Sequence, residues 1–256
     1  MKICIVIPAY NEEKRIGETL EAYSLYFNHL KKENILDYEL LIIINNTKDN
    51  TEKIVKQHIT KNNRIKYLNF EKGGKGFAVI EGFKDALKRD NDVIGFVDAD
   101  MATSPEEYYK LIASLNGFDS VISSRYMGGS LIEPKPTIQR LFAKRLFNVL
   151  VRILLFLPFK DTQCGAKIFR RNALKIVLEK ISLSQWAFDV DMLYSLKKSG
   201  FRIREIPTKW FDKKYSKINF WQAGPWMALG VIRLRLFHSP LKNLIGIYDK
   251  FMGLLR

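Results

Sequence analysis

The chain has 256 residues, 47% of them hydrophobic, with 42 Lys+Arg against 27 Asp+Glu and only two cysteines. That is enough for one large α/β domain, or a domain with an appendage, and excludes a small scaffold stapled by disulfides or metal; Cys4 and Cys164 lack metal-ligand spacing and suit a reduced, cytosolic compartment. The net charge of +15 is uneven, with 17 basic against 19 acidic residues over 1–124 (net −2) and 25 against 8 over 125–256 (net +17), so the second half calls for an anionic partner, either nucleic acid or a phospholipid surface.

Residues 3–7, ICIVI, read as a first strand with Cys4 in the core. The run is too brief for the apolar region of a signal peptide and lacks a small-residue cleavage site. Pro8 closes it, and Tyr10, Asn11 and Glu12 then offer an aromatic face and polar edges before a helix over 12–32, whose apolar Ile16, Leu20, Tyr23, Phe27 and Leu30 recur at three- and four-residue steps. A second strand spans 39–44, a helix 49–58 and a third strand 65–69. Gly73-Gly74-Lys75-Gly76 precedes a helix over 76–88, where backbone N–H groups and a lysine can meet an anion. It matches neither the P-loop nor the dinucleotide fingerprint.

Residues 93–97 form a fully apolar strand bounded by charge, as at the centre of a parallel sheet. This alternation predicts βαβ units. Ligands of such sheets bind at the carboxyl ends of the strands, which is where Asp98 and Asp100 stand. Ser104 as N-cap, Pro105 at the first helical position and Glu106-Glu107 then start another helix. By residue type alone the two acids fit a solvated turn, an acid/base pair or ligands for a hard cation. Mg²⁺ is commonly held by one or two carboxylates with substrate phosphates and waters, so a metal-bound diphosphate is the expectation.

The second half changes character. Residues 137–159 predict an amphipathic helix in which Arg140, Lys144, Arg145, Asn148 and Arg152 share an arc of about 140° against an apolar slab. Such a helix suits a membrane interface, and Arg152 interrupts the only candidate for a span. Residues 218–256 repeat the theme: Trp221 and Trp226 suit an interfacial belt, Arg233 and Arg235 a headgroup layer, and Pro225 and Pro240 are expected to break the run into short helices. Packing between copies of the chain is the other use for these faces.

Eight stretches carry a resemblance: VIPAYNEE (6–13), TKDNT (47–51), GGKGFAVIEGF (73–83), DADMAT (98–103), SSRYMGGS (123–130), DTQCGAKIFRR (161–171), WAFDVDMLY (186–194) and WFDKKYSK (210–217). Together they resemble the family 2 glycosyltransferases of GT-A fold. Within that family the likeness is to polyprenyl-phosphate glycosyltransferases, dolichyl-phosphate glucosyltransferases first and dolichyl-phosphate mannose synthases next. The resemblance implies an α/β, Rossmann-like, mostly parallel sheet flanked by helices over 1–217, with C-terminal amphipathic interfacial helices over 218–256. It also implies an inverting, metal-dependent hexosyltransferase that moves a sugar from a nucleotide sugar to dolichyl or another polyprenyl phosphate, held peripherally at the cytoplasmic side of a membrane.

Residue by residue, the resemblance implies that Pro8, Tyr10, Glu12, Asn45, Asn46, Lys75 and Asp98 hold the nucleotide sugar. Asp100, with Asp98, would hold Mg²⁺ or Mn²⁺ bridging the diphosphate, a Lewis-acid role. Because a lipid phosphate is already anionic, cations replace a base: Arg125, Arg140 and Lys217 are the candidates, with Asp161 and Gln163 in the acceptor loop. Asp189 stands where many family 2 enzymes place a catalytic carboxylate, and with a phosphate acceptor the expected role is orienting a cation. Asn45-Asn46 stand where the family has paired acids, which leaves the base open. Ala102, where mannose synthases carry Gln, favours UDP-glucose over GDP-mannose. Many glucosyl-type members begin with a membrane-spanning segment, and none is expected here.

Two rivals compete with this reading. A family 2 enzyme acting on a sugar hydroxyl would need Asp189 as base. A nucleic-acid-binding protein would use the basic half, but there the cations are interleaved with Leu, Ile and Phe at helical spacing instead of exposed stacking aromatics, so no nucleic-acid partner is expected.

Overall fold

Alternate residues of β1 (Lys2–Ala9) feed opposite layers, as the two-residue repeat of a strand requires: Ile3, Ile5 and Ile7 join one apolar cluster, Cys4 and Val6 another. A computed structural model describes residues 1–181, 187–211, 220–240 and 242–254, with backbone alone at 140, 143, 144, 220–226, 247 and 251–254. After β1 come α1 (Ile16–Lys32), β2 (Asp37–Asn45), α2 (Thr51–Lys61), β3 (Ile65–Phe70), α3 (Lys75–Leu87) and β4 (Val93–Val97). Next are α4 (Pro105–Ala113), β5 (Ser120–Ser124), β6 (Leu131–Glu133), α5 (Ile138–Leu155), β7 (Ala166–Arg170), α6 (Arg171–Leu178) and α7 (Phe188–Lys198). The chain continues through β8 (Ile203–Pro207), β9 (Lys209–Phe211), α8 (Phe220–Phe237) and α9 (Ile245–Leu254).

The main sheet runs β3-β2-β1-β4-β7-β5-β8, and every strand but β7 points the same way. Strand order reverses between β1 and β4, since β2 and β3 lie on one side of β1 and β4 on the other. That reversal opens a crevice at the carboxyl ends of the two strands, the usual ligand position in such sheets. The antiparallel β7 has the opposite effect on direction: its first residues, not its last, arrive at this edge. Val97 pairs with Ala166, and the Asp98 N–H donates to the Gly165 carbonyl at 3.1 Å, so the segment 161–167 is delivered beside Asp98.

The structure departs from the sequence pattern at four places. Pro8 lies inside β1, beyond the end of its pairing with β4 at Val6↔Phe96. The first helix starts at Ile16, because Asn11 takes a left-handed backbone (φ 51) and a turn comes after it. Pro225 does not break α8, which runs through it from Phe220 to Phe237; Pro240 does lie between α8 and α9. Asn148 is buried, its Oδ1 accepting from both the N–H and the hydroxyl of Thr162, and so leaves the exposed basic arc. The expected boundary at 217/218 lies outside the described residues.

Candidate active site

Three non-glycine residues with left-handed backbones cluster at the crevice edge: Asn11 after β1, Asn46 (φ 48) after β2 and Met101 (φ 59) after β4. Such strain persists only where surroundings fix it, and it concentrates at ligand sites. Here the loops after β1 and β2 fix each other. The Glu12 N–H donates to Thr51 Oγ1 at 2.8 Å, the Glu13 N–H to Asp49 Oδ2 at 3.1 Å and the Lys48 N–H to Asn11 Oδ1 at 2.9 Å. A cavity of about 420 Å³ lies between them, lined in part by Asn11, Glu12, Arg15 and Asp49. Tyr10 is exposed at this edge, whereas Asn45, the last residue of β2, is buried. Of the two asparagines only Asn45 ends the strand; Asn46 belongs to the turn.

The two acids after β4 meet cations from two helix starts. Lys75 Nζ lies 2.5 Å from Asp98 Oδ1. Gly165 permits this approach, because a Cβ there would overlap the Asp98 carboxylate. Asp100 Oδ1 accepts the Ala102 N–H at 3.0 Å, and Arg15 Nη1 stands 4.0 Å from Asp100 Oδ2. Arg15 is itself gripped by Glu12 through Nε and Nη2, at 2.6 and 2.5 Å. Further along α1, Thr19 Oγ1 donates to the Ala99 carbonyl at 2.8 Å and the Tyr23 hydroxyl to the Thr103 carbonyl at 2.9 Å. Positions 15, 19 and 23 are successive turns of one helix face, so α1 braces the whole acidic turn.

Burial, and then the like charge of Asp98, push the Asp100 carboxyl above its ordinary value, against the pull of the Ala102 N–H, Arg15 and Lys75. Desolvation would lower the Lys75 ammonium, but Asp98, then Asp189 and Asp100, hold it above its usual range. A pair of hard oxygen donors strained by mutual repulsion fits Mg²⁺ or Mn²⁺. Among the described residues no group of three or more His, Cys, Asp or Glu forms a cage, so phosphate oxygens or water would complete the coordination.

Beside them lies a second charged pair. Lys167 on β7, fully buried, donates to Asp189 Oδ1 at 2.7 Å and to the Cys164 carbonyl at 2.6 Å, and lies over the Phe96 ring. Asp189 stands in the first turn of α7, whose Phe188 lies within contact of Gly76 at the start of α3. In the structure the cation beside Asp189 is Lys167, buried within β7. Arg125, following β5, forms a fork with Asp161: Nε to Oδ2 at 2.7 Å and Nη2 to Oδ1 at 2.9 Å, with its own N–H on Oδ2 at 3.0 Å. Trp210 lies 5.0 Å from its guanidinium. The sequence points both residues at an acceptor phosphate; in the structure they hold each other. Gln163 sits in the same loop, its N–H on Asp161 Oδ1 at 3.2 Å.

Arg140 is in the first turn of α5, with its side chain outside the described residues, as is the whole of Lys217. The apolar slab of α5 is partly real surface. Ile138, Phe142, Leu146, Val149 and Ile153, with Phe156 just past the helix, are 46% to 86% exposed at three- and four-residue steps. Phe147, Val151 and Leu155 face inward against Val231 and Leu234 of α8. Exposed Arg145 and Arg152 flank the outer stripe. No described helix is long and apolar enough to cross a membrane.

Sequence reasoning missed Arg15 and Lys167. The signal for Lys167 was a lone cation inside a strand-like apolar run, which cannot be buried without an anionic partner. Arg15 carried no comparable signal, because a basic residue near a helix start reads as solvated.

Known proteins match this chain along most of its length. The model of glycosyl transferase family 2 matches residues 4–178. Human dolichyl-phosphate beta-glucosyltransferase is 30% identical over 250 residues, 91% of this chain and 75% of that protein. The enzyme of the same name from Dictyostelium discoideum is 29% identical over 259 residues, covering 96% and 76%. Among solved structures, glucosyl-3-phosphoglycerate synthase from Mycobacterium tuberculosis, in complex with Mn²⁺, UDP and phosphoglyceric acid, superposes with a TM-score of 0.66 at 17% identity over 92% of this chain and 77% of that one. Mannosyl-3-phosphoglycerate synthase from Rubrobacter xylanophilus also gives 0.66 at 17% identity, covering 95% and 75%. At that identity the structural likeness speaks for the fold alone.

Proposed function

We propose that this chain, which belongs to glycosyl transferase family 2 and is a glycosyltransferase, moves glucose from UDP-glucose to dolichyl phosphate or a related polyprenyl phosphate at a membrane surface. The names of the relatives support the sugar and the acceptor class. The observation that carries the acceptor reading is the Lys167–Asp189 ion pair. The carboxylate placed where a base would stand is committed to an ammonium, and a phosphate acceptor needs no base because it arrives deprotonated.

In this reading Tyr10 offers its face to the nucleobase and Asn46, exposed in the turn after β2, its amide, while the buried Asn45 shapes that turn from beneath. The start of α3 directs backbone N–H groups and Lys75 at the diphosphate, where the helix dipole favours negative charge. Asp98 and Asp100 would hold a divalent ion, which when bound would supply Lewis acidity to a departing diphosphate. Asp189, locked by Lys167, orients the cationic side of the crevice. An acceptor phosphate oxygen bonds to the anomeric carbon opposite the diphosphate, the bond to the diphosphate oxygen breaks, and UDP leaves. Inversion results from that in-line geometry.

The outer stripe of α5 supports peripheral docking, which we assign to the cytoplasmic face. Burying one large apolar side chain is worth about 1.5–3 kcal/mol, so six left in water forgo on the order of 10 kcal/mol. Arg145 and Arg152 beside them suit anionic headgroups. The donor is tested by incubating the protein with polyprenyl phosphate, Mg²⁺ or Mn²⁺ and a panel of labelled nucleotide sugars. Label from UDP-glucose should enter the organic phase faster than label from GDP-mannose, and the reverse order would refute the donor assignment.

A further inference from the structure

Asp98 and Asp100 are each countered by a cation of the chain itself, and both cations sit where helix electrostatics disfavour them. Lys75 is the first residue of α3 and Arg15 the residue preceding α1, at the positive ends of two helix dipoles. Neither N-cap residue, Arg15 or Gly74, closes its helix start with a side-chain hydrogen bond. Asp98 holds Lys75 there, and Glu12 holds Arg15 with Asp100 facing its remaining nitrogen. Arg15 reaches Asp100 with Nη1 only, at 4.0 Å, because Glu12 occupies Nε and Nη2. Thr19 pins α1 to Ala99 one turn later, which fixes the distance between this guanidinium and the acidic turn.

Resting on the metal-and-nucleotide reading of the site, we infer that Arg15 and Lys75 are exchangeable counter-ions that make divalent-cation binding conditional on a nucleoside diphosphate. A cation alone must displace the Lys75 ammonium from Asp98 and enter against the positive charge of the Arg15 guanidinium beside Asp100. A diphosphate supplies alternative partners for both, at a helix start built to receive anions, and so releases Asp98 and Asp100 to the metal. Metal and nucleotide therefore bind with positive coupling, and Arg15 is a positioning residue of that exchange. Linkage makes the effect reciprocal: Mn²⁺ tightens UDP by the same factor as UDP tightens Mn²⁺.

The experiment is a titration of the full chain with Mn²⁺, reading free ion by electron paramagnetic resonance at one fixed pH, with and without UDP, after subtracting the Mn²⁺ that UDP chelates in protein-free solution. In the unaltered protein UDP should tighten Mn²⁺ binding by about tenfold or more. Arg15→Gln and Lys75→Met should each bind Mn²⁺ alone at least about threefold more tightly and show a UDP effect reduced by a similar factor, whereas Arg15→Lys, which keeps the charge but cannot hold Glu12 and face Asp100 through separate nitrogens, should fall between the unaltered and neutral forms. Thermal unfolding verifies that each variant is folded, and either of the two neutral variants suffices. Unchanged affinity for Mn²⁺ alone in the neutral variants overturns the inference and leaves the metal site standing. No uptake of Mn²⁺ by the unaltered protein, with or without UDP, overturns the site reading itself.

Discussion

The Lys167 ammonium, sealed from solvent, bridges Asp189 Oδ1 at 2.7 Å and the Cys164 carbonyl at 2.6 Å, tying α7 to the start of β7. An Asn at 189 still accepts the Lys167 hydrogen bond through its amide oxygen. Asp189→Asn is therefore expected to lower kcat by less than about 100-fold in an organic-phase transfer assay. Loss of a general base removes about 10²–10⁴-fold, so a drop near the top of that range would reassign Asp189 as the base.

Asp161 and Arg125 form a buried fork whose pH behaviour is set by its charges. Burial alone would raise the Asp161 carboxyl, but Arg125 outweighs it and the group ends below its ordinary value. A depressed carboxyl adds stability that is present above the unfolded value, about 3.9, and is lost as pH falls through the folded one. Asp161→Asn should destabilise the protein by about 3–5 kcal/mol at neutral pH, since it strands a buried guanidinium. Denaturant unfolding should show that deficit shrinking below about pH 4.

Removing a repelled carboxylate should separate stability from activity. Asp100 is held above its usual carboxyl range by burial and by Asp98, so its charged form opposes folding at neutral pH. Asp100→Asn is expected to melt at the same temperature as the unaltered protein or higher, while kcat falls by about 10³-fold. Calorimetry and the transfer assay on one preparation check both halves.

Gly165 is a demand of close approach. A methyl group there would press into the Asp98 carboxylate, so Gly165→Ala should weaken nucleotide-sugar binding and destabilise the fold by about 1–3 kcal/mol. Isothermal titration with UDP and Mn²⁺, set against a melting curve, reads the two effects separately.

The outer stripe of α5 should matter for membranes and hardly at all for folding. Phe142 and Ile153 are mostly exposed, so Phe142→Asp with Ile153→Asp should change stability by no more than about 1 kcal/mol. The same pair should abolish flotation with vesicles containing anionic lipid. For the unaltered protein, flotation should weaken as salt screens Arg145 and Arg152.

The parallel half of the fold was legible because its signals are local. Apolar strands such as 93–97, the periodic face of α1 and the Ser104-Pro105 helix start each declare themselves within a few residues. The acid pair was legible for the same reason. What stayed hidden depends on partners distant in sequence. Lys167 becomes a buried strand residue only through Asp189 and Cys164, and β7 lands beside β4 only by running antiparallel. Arg15 gives no local sign of its role because Asp100, its partner, is 85 residues further along the chain. Arg125 reads from sequence as an acceptor cation, and its fork with Asp161 is visible only once β5 and the segment before β7 meet at one sheet edge.

In the proposed reaction the acceptor is a lipid-borne phosphate. The most direct measurement of this offers the protein labelled UDP-glucose and Mn²⁺ with either polyprenyl phosphate or the matching polyprenol, and tracks label into the organic phase. Transfer to the phosphate and none to the alcohol is the predicted result. Equal labelling of the alcohol, or label that stays in water with both lipids, would contradict it.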